Sequence, residues 1–341
     1  MKNTNELCAV YVDMGTTNTR VWLADGDRVV WQAKAAVGVR DTAREGSSAK
    51  ARTALRDLIT QVRLAGEKIT STSATCVPSH VIAAGMITSQ LGLREVPHVQ
   101  APAGLADLAA HVEQHQFPDV TDLPFLLVPG VRSGPLQYDR EIMGAVDVMR
   151  GEETLCLGLL ALGLMQKPSV LLNLGSHWKA IRLDADGRIA SSVTSMAGEL
   201  IHAAQTQTVL ASAVPHERPM ELDEEWVEAG MAEQRRSGLA RALFCVRLLE
   251  QACGSTPAQR LAFLVGTFIA ADLDALMARG VLNLDVAVYI SGGQAVAAAW
   301  QRALTQSSVC AIALTETQVE RALLTGLKFI ATAAARSLQS P

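Results

Sequence analysis

Long apolar runs are missing from this sequence: Leu155 to Met165 and Leu261 to Ala271, each about eleven residues, are the longest, whereas a membrane-spanning helix needs about 20. The first six residues, Met1 to Glu6, are polar where a signal peptide would carry an apolar core, so export is not expected. An excess of either charge is missing too. Thirty Lys and Arg stand against thirty-four Asp and Glu, a net charge of −4, which gives no bulk attraction to nucleic acid or to an anionic membrane. Any polyanion must therefore be small and held locally. The six cysteines, at 8, 76, 156, 245, 253 and 310, form no C-x-x-C pair and sit mostly in apolar runs, where Cys behaves as a small buried hydrophobe. A reducing, cytoplasmic setting is the expectation. There is no G-x-x-x-x-G-K-[ST], H-E-x-x-H, G-x-S-x-G or EF-hand pattern, which sets aside P-loop NTPases, zinc hydrolases and α/β-hydrolases.

With 49% hydrophobic and 19% charged residues the chain has material for a substantial core, and 341 residues suit two lobes. The segments Ala9 to Val12, Val21 to Leu23 and Arg28 to Ala33, separated by turn residues, predict three antiparallel strands. Leu55, Leu58, Ile59 and Val62 mark an amphipathic helix over 48–66, followed by strands near 81–86 and 125–131. The order recurs in the second half: strands at 169–174, 179–183 and 188–193, helices at 238–252 and 258–279, a strand at 286–290, a helix from 294, a strand at 309–314 and a helix at 316–335. Two lobes, 1–168 and 169–341, follow from the repeat.

Asp13-Met14-Gly15-Thr16-Thr17-Asn18-Thr19-Arg20 closes the first strand with a carboxylate, then glycine and hydroxyls in a tight turn. Such a turn can offer backbone N–H groups and hydroxyls to phosphate oxygens while Asp13 faces a Mg²⁺ through water. The plainer reading is a hairpin whose Gly and Asn only permit a tight turn. Asn173 to Lys179 repeats the pattern, with Gly175 and Ser176 at the turn and His177 and Lys179 beside it. Ser291-Gly292-Gly293-Gln294 lies between a strand and a helix, where absent Cβ atoms let a base or ribose approach the backbone. Asp147 to Thr154 leads into an apolar helix. Its carboxylates are ordinary first-turn capping residues or a base for an attacking hydroxyl in an interlobe cleft, with Arg150 beside them for a carboxylate or phosphoryl group. Glu221 to Glu225 reads as a solvated helix start.

Two βββαβαβα halves with these hairpins and a late strand-Gly-Gly-helix resemble the sugar kinase, heat-shock ATPase and actin superfamily, with two RNase H-like lobes. Within it, Val12 to Leu23, Ala84-Gly85-Met86, Val128-Pro129-Gly130, Val148 to Thr154, Gly175 to Lys179 and Met196 to Leu200 are similar to the 2-dehydro-3-deoxygalactonokinase family. The resemblance spans nearly the whole chain, and Arg150-Gly151-Glu152-Glu153-Thr154 is its most specific part. Met14 stands where Trp is usual, Ser176 where Thr is, Gly293 where a hydroxyl residue often sits, and residues 132–141 resemble an insertion.

The resemblance implies transfer of a phosphoryl group from ATP to the 6-hydroxyl of 2-dehydro-3-deoxy-D-galactonate, in galactonate catabolism. It implies Mg²⁺ at Asp13 and phosphates on Gly15, Thr16, Thr17, Asn18, Arg20, Gly175, Ser176, His177 and Lys179. Adenosine would lie by Gly292 and Gly293, and the acceptor by Gly85, Met86 and Arg150. Glu152 is then the base, with Glu153 and Asp147 as alternatives because a helix start read from sequence slips by a residue or two. The implied partners are ATP and a small sugar acid, with neither nucleic acid nor membrane; a homodimer is compatible. Kinase activity on another small sugar acid stays open, as does a non-catalytic sensor or chaperone-type ATPase. A sensor would need a DNA-binding segment ahead of residue 13, and a chaperone a peptide-binding region beyond the core.

Overall fold

A computed structural model describes residues 8–68, 76–252 and 254–337. The chain divides into two compact units: the first runs to Leu164 and takes in Gly187–Ile189 and the chain from Glu320, and the second holds Met165–Asp186 and Ala190–Val319.

The first unit opens with β1 (Ala9–Met14), β2 (Thr19–Asp25) and β3 (Arg28–Ala35), antiparallel, with Asp13 opposite Arg20. Every residue of β1 is buried, as a strand covered on both faces requires. Helices α1 (Val39–Glu45) and α2 (Ala49–Lys68) follow, and Leu55, Leu58, Ile59 and Val62 are buried as their spacing predicts. β4 (Val81–Gly85) returns parallel to β1 with Gly85 opposite Met14, and a 3-10 turn covers Met86–Thr88. Then come β5 (Val99–Gln100), α3 (Leu105–Ala110), β6 (Glu113–Phe117), β7 (Thr121–Leu127), β8 (Val131–Ser133), β9 (Asp147–Met149) and α4 (Glu152–Ala161). The main sheet has the order β3-β2-β1-β4-β7-β6, and β5-β8-β9 form a separate small sheet.

The second unit repeats the plan with β10 (Ser169–Leu174), β11 (Trp178–Leu183), β12 (Ile189–Ser195) and helices α5 (Ala197–Gln207), α6 (Glu224–Ser237), α7 (Leu239–Ala252) and α8 (Pro257–Ala278). After them come β13 (Val288–Gly292), α9 (Gln294–Gln306), β14 (Ala311–Ala313) and α10 (Glu316–Ser337). The sheet order is β12-β11-β10-β13-β14, and Gly292 faces Leu174 as Gly85 faces Met14. Helix α8 is long and apolar enough to cross a membrane by composition, yet Phe263, Leu264, Phe268 and Ile269 bury it in this unit's core. Both sheets place three antiparallel strands beside a parallel one, the RNase H-like order, and the pair is the actin-like ATPase fold.

Several expectations need correction. The single strand expected at 125–131 is two, because Pro129 has no N–H to donate and Gly130 lies against the Met149 carbonyl. The first unit adds β6 and the small sheet to the expected plan. The division falls after Leu164, and α10 from Glu320 belongs to the first unit: Gly158 of α4 seats on the Ala322 backbone, and Gly326 of α10 on that of Thr154. Cys8 and Cys76, expected as separate apolar fillers, form a disulfide, because residues leading into β4 run beside the start of β1, where the Ser79 N–H donates to the Cys8 carbonyl at 3.0 Å. A separation of 68 residues hides that pairing from the sequence. Cys253 lies outside the described residues.

Candidate active site

The β1–β2 turn is closed by the Gly15 N–H donating to the Asn18 carbonyl at 2.8 Å. Its next two carbonyls point toward α1: Gly15 accepts from the Val39 N–H at 3.4 Å and Thr16 from the Arg40 N–H at 2.9 Å. In a planar trans peptide the N–H points opposite to the C=O, so these bonds turn the Thr16 and Thr17 N–H groups away from α1. Gly38 makes this possible, since a Cβ there would collide with both carbonyls. The Asn18 amide donates to Thr17 Oγ1 at 3.0 Å. Arg20 stands on β2, off the turn, and its Nη1 meets Asp13 Oδ2 at 2.9 Å.

The β10–β11 turn of the second unit is likewise approached closely by a helix-start glycine. Gly198, in the first turn of α5, takes Gly38's place and lies against the Gly175 and Ser176 carbonyls. His177 Nε2 pairs with Glu199 Oε2 at 3.1 Å, and the buried Lys179 donates from Nζ to Thr194 Oγ1 at 2.6 Å. Ser291 Oγ donates to Asn173 Oδ1 at 2.9 Å, tying β13 to the base of the turn. Gly38 had no signal in the sequence; Gly198 appeared only as part of Met196 to Leu200.

Asp13 is 7% exposed. Burial pushes its carboxyl above the ordinary range, Arg20 pulls it back, and the charge of nearby Glu152 pushes it up again. Gly85 ends β4 at φ +88°, and Gly151 precedes α4 at φ +105°, conformations that side chains rarely adopt. A Cβ on Gly151 would lie 3.3 Å from Gly85 Cα and 3.6 Å from Asp13 Oδ1. Thus Asp13, Gly85, Gly151 and Glu152 are neighbours in the first unit. Met86, next to Gly85, is half-buried against that unit's core.

The remaining acidic candidates separate cleanly. Glu153 is wholly buried, accepts the Gly151 N–H at 2.7 Å, and is pushed up to about 8 by burial, to which the Glu152 charge adds. Asp147 sits on β9 opposite Ser133, outside α4. Arg150 donates from Nη1 to Thr88 Oγ1 at 3.0 Å and from Nη2 to the Val96 carbonyl at 2.7 Å, and Thr88 donates in turn to the Gly85 carbonyl at 3.0 Å. Its guanidinium therefore braces the segment after β4.

In the second unit Gly292 lies against Leu174, so its missing Cβ serves strand packing, whereas Gly293, at the start of α9, faces open space. Beside it is a cavity of about 260 Å³ with Met220, Leu222 and Val227 on one wall and Ala295, Ala298 and Arg302 on the other. Sequence reading missed the first wall, taking the acidic stretch there as merely solvated. Among the described residues no group of three or more His, Cys, Asp or Glu could cage a metal ion. One buried carboxylate, Asp13, with Glu152 nearby fits a hydrated Mg²⁺ carried mainly by nucleotide phosphates.

Phosphoryl transfer asks a protein chiefly to hold phosphates and place charge, and a chain with this fold and this duplicated turn is a carbohydrate kinase of the actin-like ATPase class. The family model described as 2-keto-3-deoxy-galactonokinase matches residues 13–330, and the chain belongs to that family. It is 27% identical over 329 residues to the 2-dehydro-3-deoxygalactonokinase of Escherichia coli (strain K12), covering 96% of this chain and 98% of that one. A Rhizobium meliloti (strain 1021) protein named a probable 2-dehydro-3-deoxygalactonokinase is 29% identical over 78% of this chain and 79% of its own. A crystal structure of a Sinorhizobium meliloti protein superposes with a TM-score of 0.73 at 26% identity, covering 98% of this chain and 97% of that one. The activator of the 2-hydroxyisocaproyl-CoA dehydratase from Clostridium difficile, with bound ADPNP, shares the fold alone: TM-score 0.51, 11% identity, 98% of each chain.

Proposed function

We propose that this chain transfers the γ-phosphoryl group of ATP to the 6-hydroxyl of 2-dehydro-3-deoxy-D-galactonate, a step of galactonate catabolism. The observation that carries the reading is the juxtaposition of Asp13 with Glu152 at the start of α4, across the glycine contact of Gly85 and Gly151. Glu152 accepts the proton of the attacking hydroxyl, and Asp13 is the protein carboxylate facing Mg²⁺. Bound with the nucleotide, Mg²⁺ supplies charge neutralisation at the β and γ oxygens. Each unit's turn offers phosphate oxygens its outward N–H groups, at Thr16 and Thr17 in the first and at Ser176 and His177 in the second. The second-unit cavity beside Gly293 takes the base.

Two substitutions separate the nucleotide from the acceptor. Ala298→Phe, on an exposed cavity wall, should raise the KM for ATP about tenfold and leave the acceptor KM within twofold, as read by initial rates varying each substrate. Equal effects on both would detach the cavity from the nucleotide. Arg150→Met should raise the acceptor KM more than it lowers kcat, since a cation serving the acceptor carboxylate acts alike in ground and transition states. A loss confined to kcat would move Arg150 to the phosphoryl group. The identity of the acceptor is tested by coupled ADP release across 2-keto-3-deoxy sugar acids, their epimers and plain aldonates. Best turnover on 2-dehydro-3-deoxy-D-galactonate is expected, and preference for another acid would reassign the substrate.

A further inference from the structure

Helix α4 begins without a conventional cap. The residue before it is glycine, which has no side chain to accept the orphan N–H groups of the first turn. The polar groups come instead from inside the helix, and both act on Gly151. Glu153 Oε1 accepts the Gly151 N–H at 2.7 Å, and Thr154 Oγ1 donates to the Gly151 carbonyl, also at 2.7 Å. The residue between Gly151 and these two grips is Glu152.

We propose that Glu153 and Thr154 are positioning residues that fix the Glu152 carboxylate by holding Gly151 at its N–H and its carbonyl. The inference rests on Glu152 being the base, as read above. Gly151 sits at φ +105°, ψ −37°, its Cα is packed toward Gly85 and Asp13, and its carbonyl also accepts the Thr154 N–H at 3.1 Å and the Leu155 N–H at 3.4 Å. Hydrogen bonds at both ends set the direction in which the chain leaves Gly151, and so where the Glu152 side chain begins. Neither grip reaches a substrate, because Glu153 and Thr154 are both 0% exposed. Burying a carboxyl is unfavourable, and Glu153 Oε2 is enclosed with no hydrogen-bond partner, so this side chain is a poor choice for packing alone. The turn is anchored from its other side as well, since Gly326 of α10 lies on the Thr154 carbonyl.

The test compares Thr154→Val and Glu153→Leu, which keep much of the volume and remove the polar grip, with Thr154→Ser and Glu153→Gln, which keep it. Glu152→Gln serves as the reference, and kcat, both KM values and Tm are measured for each. Misplacing a reacting group by about 1 Å can cost on the order of 10²-fold. Thr154→Val and Glu153→Leu should therefore lose about 10- to 100-fold in kcat, with both KM values within twofold and the fold retained. Thr154→Ser and Glu153→Gln should stay within a few-fold of the parent. Should Glu153→Leu fail to fold, Thr154→Val decides alone. Parental kcat in Thr154→Val beside an impaired Glu152→Gln would overturn the clamp and leave the base in place. A fully active Glu152→Gln would remove the base, and the clamp's purpose with it.

Discussion

Glu152→Gln is expected to lower kcat by about 10²- to 10⁴-fold, the span usual for removing a general base, while ATP still binds. The amide has nearly the shape of the carboxylate and cannot take the proton of the acceptor hydroxyl. Nucleotide binding survives because the phosphate contacts are assigned to backbone N–H groups at residues 16–17 and 176–177, fixed by carbonyls turned toward α1 and lying against Gly198. Glu153→Gln makes the sharp contrast. Glu153 is a buried acid already driven to about 8, so at neutral pH it is largely protonated, and glutamine reproduces its acceptor oxygen for Gly151. A dead Glu153→Gln beside an active Glu152→Gln, read by steady-state kinetics, would move the base by one residue.

Asp13→Asn should lower kcat by about 10²- to 10³-fold or more even at saturating Mg²⁺, because the carboxylate is the proposed protein charge facing the ion. The substitution also removes the charge that holds Arg20 at 2.9 Å, with Glu320 only reaching Arg20 Nε at 4.0 Å. Because burial holds the Asp13 carboxyl above its ordinary range even with Arg20 beside it, removing the charge is expected to leave Tm unchanged or slightly higher, with the fold retained. Arg20→Gln gives the contrast: stability falls because the buried Asp13 carboxylate loses its cation, and the kinetic loss is smaller because Asp13 stays. Parental turnover in Asp13→Asn would remove Asp13 from the site.

What the sequence made legible is what is encoded locally. The runs Ala9 to Val12 and Ser169 to Leu174 announce central strands, the Gly-hydroxyl turns after them announce hairpins, and the repeated order of strands and helices implies the duplicated fold. The helix expected at 258–279 is α8 to within a residue at each end, and the structure shows Thr256 and Gln259 as a capping box at its start, with Pro257 in the first turn. Features that depend on distant partners stayed hidden. Arg150 was expected beside the acceptor, and the bonds it makes to Thr88 and Val96, 62 and 54 residues away, could not be read from its motif. The β6 strand, Glu-Gln-His-Gln-Phe, carries too little apolar alternation to be seen and owes its existence to pairing with β7. Glu152 and Glu153 are equivalent in a motif, and only burial tells them apart. The wall at Met220 to Val227 became visible only when α6 and α9 were seen to line one cavity.

The most direct test of the account is the product. The wild-type protein is incubated with ATP, Mg²⁺ and 2-dehydro-3-deoxy-D-galactonate, ADP release is followed, and the product is read by ³¹P–¹³C coupled NMR. The expected result is ADP formation that depends on the acceptor, one equivalent of phosphate ester, and coupling of phosphorus to C6 and C5. Release of ADP that is indifferent to the acceptor, or an ester at any other carbon, would contradict it.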